Sequence, residues 1–416
     1  MAAEAPGRLG TDYWKYWSST TVSQLGSRFT QFAVPLFVYT LTGSAYDLGV
    51  ATTLSFLPSL LFGLLFGAYA DRVDRKRLLV YGALAKALVI ASIPALAVAD
   101  TLVLWWVYTA IFLHSCLMAL TGPAEFAAMP NLVGRDLLTR ANGYLQAGVS
   151  AARVVGPLLA GLLVTLVPIY SLLFFDALSY VAAALVLASV RAVLSAPDIA
   201  DRPATSVRQD VAEGLRYLWG QPVIRNISLM IALTNFLEIT IDAQLVLFAK
   251  QHLGADNFRV GLLYSVAGAS IALTSLAAAP LRRRISFGRA TVGALMAYGV
   301  LAVALSSTSW YWFATAVWAL MMGFGILFDI SSQTLTQTIV PDRLLGRVQG
   351  ASRVLALSGV PLGAFLGGIV VERTGNVALV FGCIGGAIFL IAFAFSFTAL
   401  GKAERYIPEE QASERA

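Results

Sequence analysis

An arginine flanked on its own helical face by two glutamines, Gln24, Arg28 and Gln31, stands within an otherwise largely apolar stretch. Spacings of four and three residues put these side chains on one side of a helix. A permanently charged guanidinium beside two amides suits recognition of an anionic or acceptor-rich group. An ion pair within its own helix bundle is the second reading of Arg28. Further along, Glu238 and Asp242 are one helical turn apart, with Asn235 three residues before Glu238. Two carboxylates this close in a low-dielectric setting do not both hold a charge cheaply, so one of them is suited to carrying a proton. Solvated acids at an outer opening and cation binding are the other readings of that pair.

An ionisable group at mid-bilayer costs at least ~2.5 kcal/mol, so each needs a partner, a wet cavity or a function. Asp176 is a further candidate proton carrier and, with Glu125, a candidate partner for Arg153. Asp329 and Arg353 fall at similar depth on two segments and suit a structural ion pair. Lys86 has the stem to snorkel towards a membrane surface. His114 is read as a hydrogen-bonded packing residue, with a proton relay as its alternative. The sequence offers no histidine pair, cysteine cluster or Ser/His/Asp arrangement that would form a catalytic or metal site, and no cofactor is expected. Cys116 and Cys383 lie in separate apolar segments, so neither a disulfide nor a cysteine metal site is expected.

The elements that must carry these residues are legible from composition. Of 416 residues, 58% are hydrophobic and 12% charged, and the mean hydropathy is +0.75. Soluble domains carry about a quarter charged residues. Twelve segments approach the roughly 20 apolar residues that span a bilayer as a helix: 16–41, 48–69, 78–99, 102–126, 143–167, 169–190, 223–249, 260–281, 290–306, 310–335, 348–371 and 377–400. Leu60–Ala70 and Ile384–Phe395 do not alternate polar with apolar, which excludes barrel strands. The expected class is an all-α membrane protein. Trp105, Trp106, Trp310 and Trp312 mark segment ends and read as interface anchors. The first residues lack the pattern of a cleaved signal peptide, so the first span is expected in the mature chain.

The net charge of +6 raises nucleic acid or acidic lipid as partners. Its distribution points elsewhere. Loops alternate sharply: Arg72, Arg75, Lys76, Arg77, Arg135, Arg140, Arg282, Arg283, Arg284, Arg343 and Arg347 lie on one side, whereas the opposite loops hold Lys250, Arg259 and Arg373. Basic residues resist translocation, so both termini are placed in the cytoplasm and nucleic acid is not an expected partner.

The longest polar stretch, 191–225, falls midway along the chain. Within it Val211, Leu215 and Leu218 share one side of a short amphipathic helix, suited to the inner membrane surface. The organisation is therefore an amino-terminal six-helix bundle (1–192), a cytoplasmic linker (193–222), a carboxy-terminal six-helix bundle (223–400) and a tail (401–416). Arg135–Gly143 matches Asp342–Gly350 at an offset of 207, and Leu36-Phe37 with Gly43 matches Leu247-Phe248 with Gly254 at 211. A parallel repeat of this kind puts a substrate near mid-membrane between halves that rock.

Gly67-Ala-Tyr-Ala-Asp71-Arg72-Val-Asp-Arg75-Lys76-Arg-Leu78 resembles the GxLaDrxGrkxxL signature of the major facilitator superfamily, with Asp74 at the usual glycine. Gly143, Gly156-Pro157 and Gly161 resemble the exporter-associated glycine motif of that family, with Ala152 for one glycine. Small residues let helices approach, and Pro157 bends its helix. Ser23–Gly26, Pro35–Tyr39, Leu41–Ser44, Ala141–Gly143, Arg153–Pro157 and Asp176–Tyr180 are similar to the branch holding enterobactin exporters and macrolide-efflux proteins. The resemblance runs from about Trp14 to Leu400. It implies the major facilitator fold of twelve transmembrane helices in two bundles and a plasma-membrane exporter of small organic molecules. It further implies Gly67, Asp71, Arg72, Arg75 and Lys76 as a conformational latch; protons are the expected coupling ion, through Glu238 and Asp242, although the arginine motif of proton-driven antiporters is not evident in the fourth span, and a monomer is the expected form. No GxxxxGK[ST] loop is present, so ATP is not the expected direct fuel. An importer of the same fold and a lipid translocator remain the alternatives.

Overall fold

The computed structural model describes residues 9–70, 72–133, 135–192, 194, 207–282 and 287–406. Among them the regular elements are all helical. In chain order they are α1 (Thr11–Thr42), α2 (Ala45–Ala70), α3 (Arg75–Val98), α4 (Leu104–Val133), α5 (Leu138–Leu163) and α6 (Ser171–Ala188). Next come α7 (Val207–Gly220), α8 (Pro222–Ala243), α9 (Leu245–Leu247), α10 (Asn257–Arg282), α11 (Phe287–Ser306) and α12 (Tyr311–Ile339). The last are α13 (Asp342–Ser358), α14 (Val360–Thr374) and α15 (Val377–Ser396).

Eleven helical segments among the described residues are long and apolar enough to cross a membrane. The longest helix, α1, is not one of them. It carries Ser19, Thr20, Thr21, Ser23, Gln24, Ser27, Arg28, Thr30 and Gln31 through its middle, and each polar side chain lowers its apolar average. The segment 344–374 is one crossing made of two helices. It breaks at Gly359, because Pro361 at the start of α14 has no amide proton to continue α13. α8 likewise stops at Gln244 and resumes as the single turn α9, followed by a π-helical Phe248–His252.

Sequence explains the helix ends. Gly43 closes α1 in the left-handed region (φ 64°) and donates to the Tyr39 carbonyl at 2.8 Å, a conformation that costs glycine little. Asp74 caps α3 by accepting from the Arg77 amide at 2.7 Å. The departure from the family signature at that position is thus a helix cap.

The chain divides into two compact units, with the main boundary between Arg202 and Pro203. The amino-terminal unit holds residues 1–43, 54–202 and 256–265; the carboxy-terminal unit holds 44–53, 203–255 and 266–416. In the first, α1 packs on α5 and α6, and α3 packs on α4 and α6. One end of that unit is closed by a buried cluster that includes Tyr13, Tyr16, Leu79, Met129 and Leu187. In the second, α11 packs on α12 and α15, and α8 on α13 and α14. The amphipathic α7 docks on α13: Gly214 lies against the Arg347 carbonyl, and Glu213 pairs with Arg347. The linker helix therefore has a protein partner, beyond the membrane surface expected for it.

Candidate functional site

The amino-terminal unit contains a chain of buried polar groups contributed by α1, α3, α4 and α6. Asp176 is fully buried (0% exposed). Its carboxylate accepts from the Thr30 hydroxyl and, at 3.3 Å, from Ser179 Oγ. Gly26 makes this possible, because a Cβ there would collide with Ser179 and stand 2.7 Å from Asp176 Oδ1. One turn on, Tyr180 Oη shares hydrogen bonds with Ser27 Oγ at 2.8 Å and His114 Nε2 at 3.0 Å. Lys86 is 4% exposed. It donates to Thr121 Oγ1 at 2.7 Å, stands 3.8 Å from Glu125 Oε1, and lies 5.6 Å over the Tyr180 ring. Snorkelling of Lys86 is therefore not what the structure shows: a carboxylate and a hydroxyl within reach hold the ammonium inside. A cavity of ≈ 50 Å³ opens among Ser23, Gln24, Ser27, Lys86, Glu125 and Tyr180, room for a few water molecules.

Arg28 lies beside this chain on α1. Its Nη1 donates to Gln31 Oε1 at 2.6 Å, while its Nε is buried without a hydrogen-bond partner. Gln31 is exposed and Gln24 lines the cavity. The structure thus joins Arg28 to Gln31 and turns Gln24 towards the interior of its own unit. Arg153, half-buried on α5, forms no ion pair with Asp176 or Glu125 among the described residues. Those acids are engaged elsewhere.

The glycine motif on α5 divides into parts. Gly156 receives the stem of Arg28, and Gly161 faces Gly261, where a Cβ would stand 3.0 Å from the Gly261 Cα. Gly143 has open space around its Cβ position. Pro157 is buried within α5.

In the carboxy-terminal unit, Glu238 is half-buried and Asp242 exposed on α8. Phe236, Ile239 and Thr240 pack against α14 on the opposite face of that helix, where Thr240 donates to the Gly363 carbonyl at 3.1 Å. Glu238 and Asp242 lie one helical turn apart on α8. Asn235 donates to the Ala356 carbonyl at 3.1 Å, tying α8 to α13. The expected Asp329–Arg353 pair is absent from the described ion pairs, both side chains being exposed.

Of the signature after the second span, Asp71 lies outside the described residues. Arg75 is buried and donates to the Ala127 carbonyl at 3.0 Å, and Lys76 donates to the Val190 carbonyl at 2.6 Å. Both bind the ends of α4 and α6 in their own unit. Arg72 is exposed, and Gly67 has no atom near its Cβ position.

Sequence reasoning missed three features. The first is the Lys86–Glu125 pair. The second is the role of Thr30, Ser179 and Tyr180, although Asp176, Ser179 and Tyr180 at spacings of three and four carried the signal. The third is Glu372, whose Oε2 accepts from the Ala45 amide at 2.7 Å, the Tyr46 amide at 3.2 Å and Ser44 Oγ at 3.3 Å, all within the carboxy-terminal unit. Nothing in the local sequence of Glu372 announces a partner more than three hundred residues away.

The family model described as Major Facilitator Superfamily matches residues 16–363. Macrolide efflux protein A of Streptococcus pyogenes is 25% identical over 370 residues, covering 87% of this chain and 90% of that protein. Enterobactin exporter EntS of Citrobacter koseri is 27% identical over 351 residues, covering 81% of this chain and 80% of its own. Among solved structures, the nucleoside transporter NupG superposes with a TM-score of 0.75 at 17% identity, covering 94% of this chain and all of that one (100%). These matches together with the membrane-spanning helices identify a multi-pass plasma-membrane transporter: the chain belongs to the Major Facilitator Superfamily.

Proposed function

We propose that this protein exports small organic molecules (a drug, an antibiotic, a siderophore or a related metabolite) by alternating access, with proton antiport as the driving reaction. The observation that carries this reading is the similarity along most of the chain to efflux proteins, one named for macrolides and one for enterobactin. In this reading the face of Gln24, Arg28 and Gln31, together with Asn235, contacts the substrate. Glu238 and Asp242 bind and release the coupling proton, with Asp176 as an additional carrier. Two acids one turn apart favour sharing a proton over holding full charge on each. The segment Gly67, Asp71, Arg72, Arg75 and Lys76 serves as the conformational latch.

The test is a panel of macrolides, dyes and iron chelators offered to everted membrane vesicles containing or lacking the protein. Energised accumulation of at least one compound, collapsed by a protonophore, is the expected result. Accumulation only in right-side-out vesicles would establish an importer. Outward movement of fluorescent phospholipid with no soluble cargo would establish a lipid translocator.

A further inference from the structure

Arg28 and Arg153 are brought together at a tight helix crossing in the amino-terminal unit. α1 and α5 touch at two glycines. A Cβ at Gly148 would stand 2.7 Å from Thr21 Oγ1, and a Cβ at Gly156 would collide with the Cβ of Arg28. Arg153 lies one turn before Gly156, on the flank of the α5 face that meets α1. Both side chains are half-buried.

Among the described residues, Arg28 is bonded through one nitrogen to the Gln31 amide, and its Nε is buried without an acceptor. Neither arginine forms an ion pair among the described residues. The two interior acids of α4 and α6 are already engaged, Glu125 by Lys86 and Asp176 by Thr30 and Ser179. Arginine does not escape such a setting by losing its proton. Two half-buried arginines at one helix crossing, neither paired with an acid among the described residues, therefore suit an anion. Their planar forks match a carboxylate or phosphate through paired hydrogen bonds.

We infer that Arg28 and Arg153 are two arms of one anion-binding site, and that the transported class is an organic molecule bearing a carboxylate or phosphate group. The inference rests on the export reading only where it calls that anion a substrate. The anion site itself stands on the crossing of α1 with α5.

The experiment uses the full-length protein in a neutral detergent, with thermal unfolding followed by intrinsic tryptophan fluorescence. Benzoate and phenyl phosphate are the probes, benzamide is the neutral control, and potassium chloride keeps ionic strength constant. A ligand that binds the folded state raises the midpoint in a saturable way. Benzoate or phenyl phosphate is expected to raise Tm by several degrees, and benzamide to leave it unchanged. Arg153→Gln is expected to abolish the anion shift. Arg28→Gln is expected to abolish the shift as well. If Arg28→Gln fails to fold, Arg153→Lys provides the second arm, keeping the charge but losing the fork and most of the shift. A shift that persists in Arg153→Gln, or no anion-specific shift in the folded wild type, overturns the site. Saturation by chloride alone, or a shift with phosphatidylglycerol but with neither soluble anion, overturns the substrate assignment by making the occupant a counter-ion or a lipid. Export confined to cations or neutral compounds, with the anion shift intact, sinks the substrate class while leaving export standing.

Discussion

Lys86 Nζ stands 3.8 Å from Glu125 Oε1, across the packed faces of α3 and α4. The lysine is almost fully enclosed, whereas the glutamate side chain is 40% exposed. Glu125 therefore gives up little hydration to neutralise a charge that has lost nearly all of its own. Glu125→Gln should destabilise the protein by about 1–2 kcal/mol, below the ~3–5 kcal/mol of a fully buried broken pair because one partner is solvated. Lys86→Met in the Glu125→Gln background should recover most of that loss. The surviving monodisperse fraction after heating, read by fluorescence size-exclusion chromatography, measures both. A double variant no more stable than Glu125→Gln alone would show that Lys86 is held by Thr121 and packing instead.

The glycines of α5 separate by what a methyl group would meet. At Gly156 the obstacle is the Cβ of Arg28, an atom that cannot rotate away. Gly156→Ala should cost about 1–3 kcal/mol through overpacking. The cost should persist in an Arg28→Ala background, because alanine keeps the colliding atom. Gly143, with nothing near its Cβ position, should behave oppositely. Gly143→Ala should stabilise by up to about 1 kcal/mol through helix propensity. Unfolding midpoints of wild type, the three single variants and the Gly156→Ala/Arg28→Ala double variant decide the matter, and equal behaviour of Gly156→Ala and Gly143→Ala would refute it.

These contrasts show what a sequence of this kind exposes. Spans were legible because lipid demands long apolar runs, and Glu238 with Asp242 was legible because helical spacing alone puts them together. Depth along a helix was legible too, from residue counts. Direction around the helix axis, relative to a distant neighbour, was not. Lys86 and Glu125 sit 39 positions apart on separate spans, and either could have faced lipid until packing was known. Asp329 and Arg353 show the same limit: similar depth does not make an ion pair, and both side chains are exposed without one among the described residues. The signature after the second span was recognisable as a pattern. The carbonyl partners of Arg75 and Lys76 were not, because backbone acceptors leave no mark in the side-chain alphabet.

Glu372 caps a helix that begins far from it in sequence. Its carboxylate accepts from the first amides of α2, at Ala45 and Tyr46, where the helix dipole favours negative charge. Glu372→Gln keeps the size but removes the charge, and should cost about 0.5–2 kcal/mol as a lost cap. Local opening should concentrate in the first turn of α2. Hydrogen exchange read by mass spectrometry should speed up in peptides covering residues 44–50 and stay unchanged in α5. Uniform protection in both regions would mean that Ser44, which already accepts from the Asp47 amide at 3.2 Å, caps the helix unaided.

Asp176 and the pair Glu238–Asp242 are both candidate proton carriers, and their surroundings differ. Asp176 is fully buried and receives hydroxyl hydrogen bonds from Thr30 and Ser179. Asp242 is exposed, and no hydroxyl donor is recorded for it or Glu238 among the described residues. A buried carboxylate that accepts from the Thr30 hydroxyl is expensive to alter: Asp176→Asn can turn that acceptor into a donor facing a hydroxyl and should cost about 1–3 kcal/mol. Glu238→Gln with Asp242→Asn disturbs no recorded hydrogen bond and should leave the unfolding midpoint within about 0.5 kcal/mol of wild type. That double variant should nonetheless lose flux driven by an imposed pH gradient in proteoliposomes, while substrate exchange at equal pH continues. The discriminating measurement is the ratio of gradient-driven to exchange flux in each variant. A normal ratio in Glu238→Gln/Asp242→Asn, with a collapsed ratio in a folded Asp176→Asn protein, would move proton coupling from α8 to α6.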